Sequence, residues 1–99
     1  MEEYRSTKVD ASYTVSNFGN VKGRTGKIIK QKGKKYKSVH ICRSSWNVDF
    51  LVATSFLEYD EHIDIEDLYL CSEINHIDCD LLNNNADNLQ LFYNKYNYD

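Results

Sequence analysis

Residues 75–88 leave little choice of local structure. Five of these fourteen are Asn (Asn75, Asn83, Asn84, Asn85, Asn88) and three are Asp (Asp78, Asp80, Asp87). Asx side chains bond nearby backbone groups, so they favour turns over the interiors of helices and strands. The stretch therefore reads as a loop. It lies between two apolar, strand-like runs, one near 68–74 containing Leu68-Tyr69-Leu70-Cys71 and one at 89–92. His76 stands where the first run meets the loop, and Asn97 follows the second. A strand–loop–strand layout can aim one imidazole and one amide oxygen at a single point. Hydrolysing a phosphodiester around one hard metal ion needs that convergence.

The first half of the chain has a different rhythm. Residues 1–10 are polar and read as loose. Tyr13-Thr14-Val15-Ser16 alternates as a short strand, Asn17-Phe18-Gly19-Asn20 supplies a turn in which Gly19 can take positive φ, and Val21 starts another strand. Lys27-Ile28-Ile29-Lys30, Tyr36 to Cys42 and Trp46-Asn47-Val48 read as further strands, with a basic loop at 31–35 and a turn at Ser44-Ser45. Short strands separated by Gly turns indicate an antiparallel meander. From Asp49 to Leu57, Phe50, Leu51, Ala53, Thr54 and Leu57 recur at near-helical spacing, which predicts one helix over about 49–58 with Asp49 as its N-cap. Residues 58–67 read as an acidic loop, and 93–99 as a terminal helix. The fold class is thus α+β. The expected division is 1–48, a basic β-rich module, and 49–99, a helix followed by a ββα finger, the two forming one compact unit.

Charge divides along the same line. Residues 1–48 hold eleven Lys or Arg against three acids, a net of +8, whereas 49–99 hold Lys95 against twelve acids, a net of −11. The first half suits a polyanion and the second repels one. The alternative is that the two halves neutralise each other within the fold. Lys22, Arg24, Lys27, Lys30, Lys32, Lys34, Lys35 and Lys37 fall on short strands and turns, an arrangement that can track DNA phosphates. The three Cys (Cys42, Cys71, Cys79) form no Cys-x-x-Cys pair, which argues against a disulfide framework or structural zinc and for free thiols in a reducing compartment inside the cell. No membrane span and no secretory leader are expected.

Three blocks together resemble the H-N-H homing endonucleases of phages and mobile introns. Tyr13-Thr14-Val15-Ser16-Asn17-Phe18-Gly19-Asn20-Val21 is similar to the small module that precedes many of these nucleases. Val48-Asp49-Phe50-Leu51-Val52-Ala53-Thr54-Ser55-Phe56 is similar to the family's Val-His-Arg-Leu-Val-Ala-x-x-Phe helix. Asn75-His76-Ile77-Asp78, then Asn83-Asn84 and Asn88-Leu89, is similar to its Asn-His-x-Asp-Gly…Asn-Asn…Asn-Leu-x-Trp signature. The order and spacing of the blocks make the signal specific. Asp49 replaces the usual His, Phe50 the Arg, Cys79 the Gly and Leu91 the Trp.

The resemblance implies a metal-dependent endonuclease acting on double-stranded DNA. His76 would be the general base, and Asn88 would bridge the loop and hold the His backbone. Asn75 and Asn97 would ligate one Mg²⁺ or Mn²⁺ ion. Asp78, Asn83 and Asn84 read as loop organisers, and His40 and His62 as surface or interface residues. The replaced residues suggest a second reading, a finger that binds nucleic acid or a host protein without cutting. The acidic 58–80 region would then be a candidate protein-binding face. The chain is expected to be a monomer or weak dimer.

Overall fold

The structure is a computed structural model, and it describes residues 1–94. Three small antiparallel sheets surround one helix. The first sheet has the order β1 (Tyr4–Ser6), β2 (Thr14–Ser16), β3 (Val21–Lys22). The second is a hairpin of β4 (Ser38–Ile41) and β5 (Ser44–Asn47), and the third pairs β6 (Ser72–His76) with β7 (Leu89–Tyr93). Helix α1 (Val48–Phe56) follows β5 directly, and α2 (Ile65–Cys71) runs into β6. The α+β class and the antiparallel arrangement match the sequence reading.

Helix α1 is buried from Val48 through Thr54 because sheets flank it on several sides. A helix walled in this way can be apolar all round, without a narrow stripe. Its Val48, Leu51 and Val52 join Val15, Val21, Val39, Ile41 and Leu89 in the main core. Core residues thus come from both the basic and the acidic half. No described helix is long and apolar enough to cross a membrane.

Several local expectations are corrected. Residues 1–10 are not loose throughout, since Tyr4, Arg5 and Ser6 pair with Ser16, Val15 and Thr14. Residues 27–30 form no strand; Ile28 makes a single bridge to Lys22, and Ile29 N–H donates to Val21 O at 2.8 Å. The β4–β5 turn is Cys42-Arg43, both at positive φ (49° and 70°), and Ser44-Ser45 begin β5. Leu68-Tyr69-Leu70-Cys71 is helical. Asp64 caps α2 by accepting from Glu66 N–H, and Leu68 and Cys71, three apart, bury one face. Asp49 is not the cap of α1. Asn47 holds that position, and Asp49 lies buried in the first turn. The terminal helix expected over 93–99 falls outside the described residues beyond Asn94, and Tyr93 itself belongs to β7.

Candidate functional site

Strand alternation decides what β6 presents. Glu73 and Asn75 face outward, whereas Ser72, Ile74 and His76 face the other way, with His76 buried at the strand end. The register continues to the end of the strand, His76 opposite Leu89 and Asn75 opposite Gln90. Beyond it the loop holds itself by side chains. Asp78 Oδ1 accepts from Asp80 N–H at 2.8 Å and from Asn88 Nδ2 at 2.9 Å, and Asp78 Oδ2 accepts from Asn83 Nδ2 at 2.8 Å. These donors, Asn83 foremost, hold the Asp78 carboxyl below the usual range. Asp80, Asn83 and Asn85 each accept from a backbone N–H two residues on. Asn88 ties the loop across its base. Its Oδ1 accepts from Asp78 N–H at 3.0 Å, its Nδ2 also donates to Asn83 O at 2.9 Å, and its backbone O takes the N–H of Ile77 at 2.9 Å.

The His76 ring sits in a polar cage. Its side chain is 1% exposed, and Nε2 lies 2.9 Å from Asn84 Oδ1, itself buried. An amide oxygen only accepts, so Nε2 carries the proton and donates. The lone pair of the neutral ring then lies on Nδ1, which is buried and has no partner among the described residues. Asp49 Oδ2, in the first turn of α1, stands 3.9 Å from Nε2, too far for a hydrogen bond. Burial pushes the Asp49 carboxyl above its ordinary range, against opposing contributions from Phe50 N–H and His76. A groove of about 510 Å³ opens beside Asp49, walled by Tyr36, Phe50, Tyr69 and Ile74.

Sequence reasoning gave Asp49 and Asn84 no part in this cage. A legible signal was the Asp standing where the resembled family has His. The first block of the resemblance also reaches the site. Gly19, at φ 92°, brings its backbone so close that a Cβ there would lie 3.0 Å from Asn84 Cβ. Ala86 N–H donates to Asn17 O at 2.8 Å, so the β2–β3 turn presses directly on the loop that positions Asn84.

Asn75, the expected ligand beside His76, is exposed. Its Nδ2 donates to Gln90 Oε1 at 2.8 Å, and its Oδ1, a hard oxygen donor, has no partner among the described residues. Asn97 lies outside the described residues. Among those described, no group of three His, Cys, Asp or Glu could hold a metal ion. The donor available at this position therefore suits Mg²⁺ in kind while bringing no charge of its own.

The basic residues divide into two sets. Lys22 lies 4.0 Å over the Tyr4 ring, and Arg24 pairs with Asp10 at 3.3 Å. Asp10 also accepts from the Cys42 thiol at 2.8 Å, and this bond, the largest of several, holds its carboxyl far below the usual range. Lys35 lies 5.7 Å from the Tyr36 ring. Among the described residues, Lys27, Lys30, Lys32, Lys34 and Lys37 have no side-chain partner. One ion pair, Lys8–Glu61 at 3.2 Å, joins the basic to the acidic half among the described residues. Mutual neutralisation through contact ion pairs is therefore slight.

Neither a protein-family model nor a curated protein matches the chain. Among solved structures it is similar to one described as "DNA binding and cleavage by the HNH homing endonuclease I-HmuI", with 27% sequence identity and a TM-score of 0.68. The match covers 96% of this chain and 55% of that one, so the chain spans about half the length of the solved relative. The arrangement of antiparallel strands and two helices is that of an HNH endonuclease fold.

Proposed function

We propose that this chain binds double-stranded DNA through the basic segment 22–37 and cuts or nicks it as a metal-dependent HNH-type endonuclease with His76 as general base. The observation that carries the reading is the state of the imidazole. Asn84 occupies Nε2 and so leaves the lone pair on Nδ1, a buried acceptor with no partner among the described residues. Leaving such a group unpaired costs about 1–3 kcal/mol, and catalytic sites are where that cost recurs. A base of this kind takes a proton from the attacking water. Asn88 keeps the backbone after His76 in place through Ile77 N–H and Asp78 N–H. Asn75 and Asn97 would hold Mg²⁺ or Mn²⁺, which when bound offsets negative charge on the phosphate and the leaving 3′-oxygen. The solved relative's described DNA binding and cleavage support the same assignment.

One observation favours a second reading, a finger that binds DNA without cutting it. The His76 side chain is 1% exposed, and a base must come within hydrogen-bond reach of its water. Plasmid nicking with Mg²⁺ or Mn²⁺, run beside a DNA-binding assay, separates the two. Nicking that His76→Ala abolishes while binding persists supports the endonuclease. Binding with no metal-dependent nicking by the wild type replaces it with the binding module, and equal nicking by both proteins assigns the cleavage to another site or to a contaminating nuclease.

A further inference from the structure

We infer that a cavity on the outer face of the β4–β5 hairpin is a pocket for a single phosphate group. It has a volume of about 220 Å³, with Lys30, Lys32, His40 and Ser45 at its polar wall and Ile29 and Val39 as apolar lining. The register builds that wall. His40 pairs directly with Ser45 across the hairpin, and Ser38, two residues before His40, emerges on the same face. Lys32 is then tied along the hairpin by a reciprocal pair of backbone bonds, its N–H to Ser38 O at 2.9 Å and Ser38 N–H to its O at 2.8 Å. At the other end Ile29 N–H is bound to Val21 O, so the segment carrying both lysines is anchored on two sides.

The chemistry of the lining is one-sided. Among the described residues, no carboxylate lines the cavity. Two lysines, a histidine and two serines line it, and the side chains of Lys30, Lys32, His40 and Ser45 have no partner among the described residues. Ser38 Oγ makes one long contact, 3.5 Å to Lys32 O. Lysine ammonium groups, with hydroxyl and ring donors beside them, are usual partners of phosphate oxygens. The volume falls below the roughly 300–1,000 Å³ of small-molecule sites, which suits one ionic group with its water better than a whole nucleotide. A backbone phosphate of duplex DNA supplies such a group, as does free inorganic phosphate. The DNA arm of this inference rests on the proposed DNA binding and is independent of cleavage.

Amide NMR titrations of the full chain with inorganic phosphate and, separately, with a short duplex test the assignment. The amides of Lys32, Ser38, His40 and Ser45 are expected to shift and saturate together in both. His40→Gln and Lys30→Ala, both at exposed positions, should each weaken phosphate binding roughly tenfold, while Lys8→Ala, outside both the pocket and the segment 22–37, leaves it unchanged. Saturation by phosphate with no response to the duplex makes the pocket a free-anion site and counts against the DNA reading alone. The pocket is overturned if neither ligand saturates these amides, or if both variants bind phosphate as the wild type does, even where DNA shifts other residues of the basic segment.

Discussion

The basic segment 22–37 and the loop 75–88 are both short of regular structure, yet they use polar side chains in opposite ways. In the loop, the side chains of Asp78, Asp80, Asn83, Asn84, Asn85 and Asn88 all bond to other parts of the loop or to His76. In the basic segment, five lysines have no partner among the described residues. One region uses its polar groups to define a geometry, and the other leaves its charge available to an external ligand. The same difference separates a site that depends on position from one that depends on charge. The first is sensitive to the loss of one atom; the second responds to salt and to the sum of charges.

Substitutions sharpen or break that contrast. The largest effect is expected at His76, where His76→Ala should lower metal-dependent nicking by about 10²–10⁴-fold with duplex affinity unchanged, read from plasmid conversion and a binding isotherm. A parallel fall in affinity would mean that the two regions are not separate. Reversing Lys32, Lys34 and Lys35 to Glu should weaken DNA binding by more than tenfold and flatten its salt dependence, by roughly 0.9 in the log–log slope per lost phosphate contact. Thermal stability should hardly move. An unchanged slope would remove the charge argument.

Asn84→Ala should act in the reverse manner. It strips the partner from a buried N–H and should cost about 1–3 kcal/mol, lowering Tm by about 4–8 °C per kcal/mol in a domain of this size, while DNA affinity stays level. Asp49→Asn tests the buried carboxyl. Burial raises its folded pKa above the unfolded value of about 3.9. As pH climbs from the unfolded value through the raised folded one, the unfolded chain releases its proton first, so stability falls. Below the unfolded value the group contributes no such loss. Wild-type Tm should therefore drop across that window relative to Asp49→Asn, and parallel Tm–pH curves would refute the burial effect. The smallest change is expected at Cys79, at φ 66°. Cys79→Gly relieves left-handed strain but frees the unfolded chain, for a net gain below about 1 kcal/mol, read as a slight rise in the urea midpoint.

Legibility followed the range of the interactions. The turn at 17–20, the helix expected over about 49–58 and found at Val48–Phe56, and the second strand, expected at 89–92 and found at Leu89–Tyr93, depend on local residue choice and were readable. The run Leu68-Tyr69-Leu70-Cys71 was not, because four apolar residues suit strand or helix equally; the cap at Asp64 and the burial of Leu68 and Cys71 select the helix. Strand β1 was missed for a related reason. Tyr4-Arg5-Ser6 carries no strand pattern of its own and is ordered by pairing with β2. At the site, His76 and Asn88 stood out through spacing. Asn84 was read only as a loop organiser, and Asp49 as a helix cap.

Local chemistry alone determined the antiparallel α+β character, the Asx-built loop and the concentration of cations in the first half, since each follows from residue type and near-neighbour spacing. Tertiary packing decided that Asp49, Asn84 and the β2–β3 turn meet around His76, and that Lys30, Lys32 and His40 line one cavity. Side chains tens of residues apart come together only when burial of α1 draws the sheets around it, and no local propensity encodes that closure.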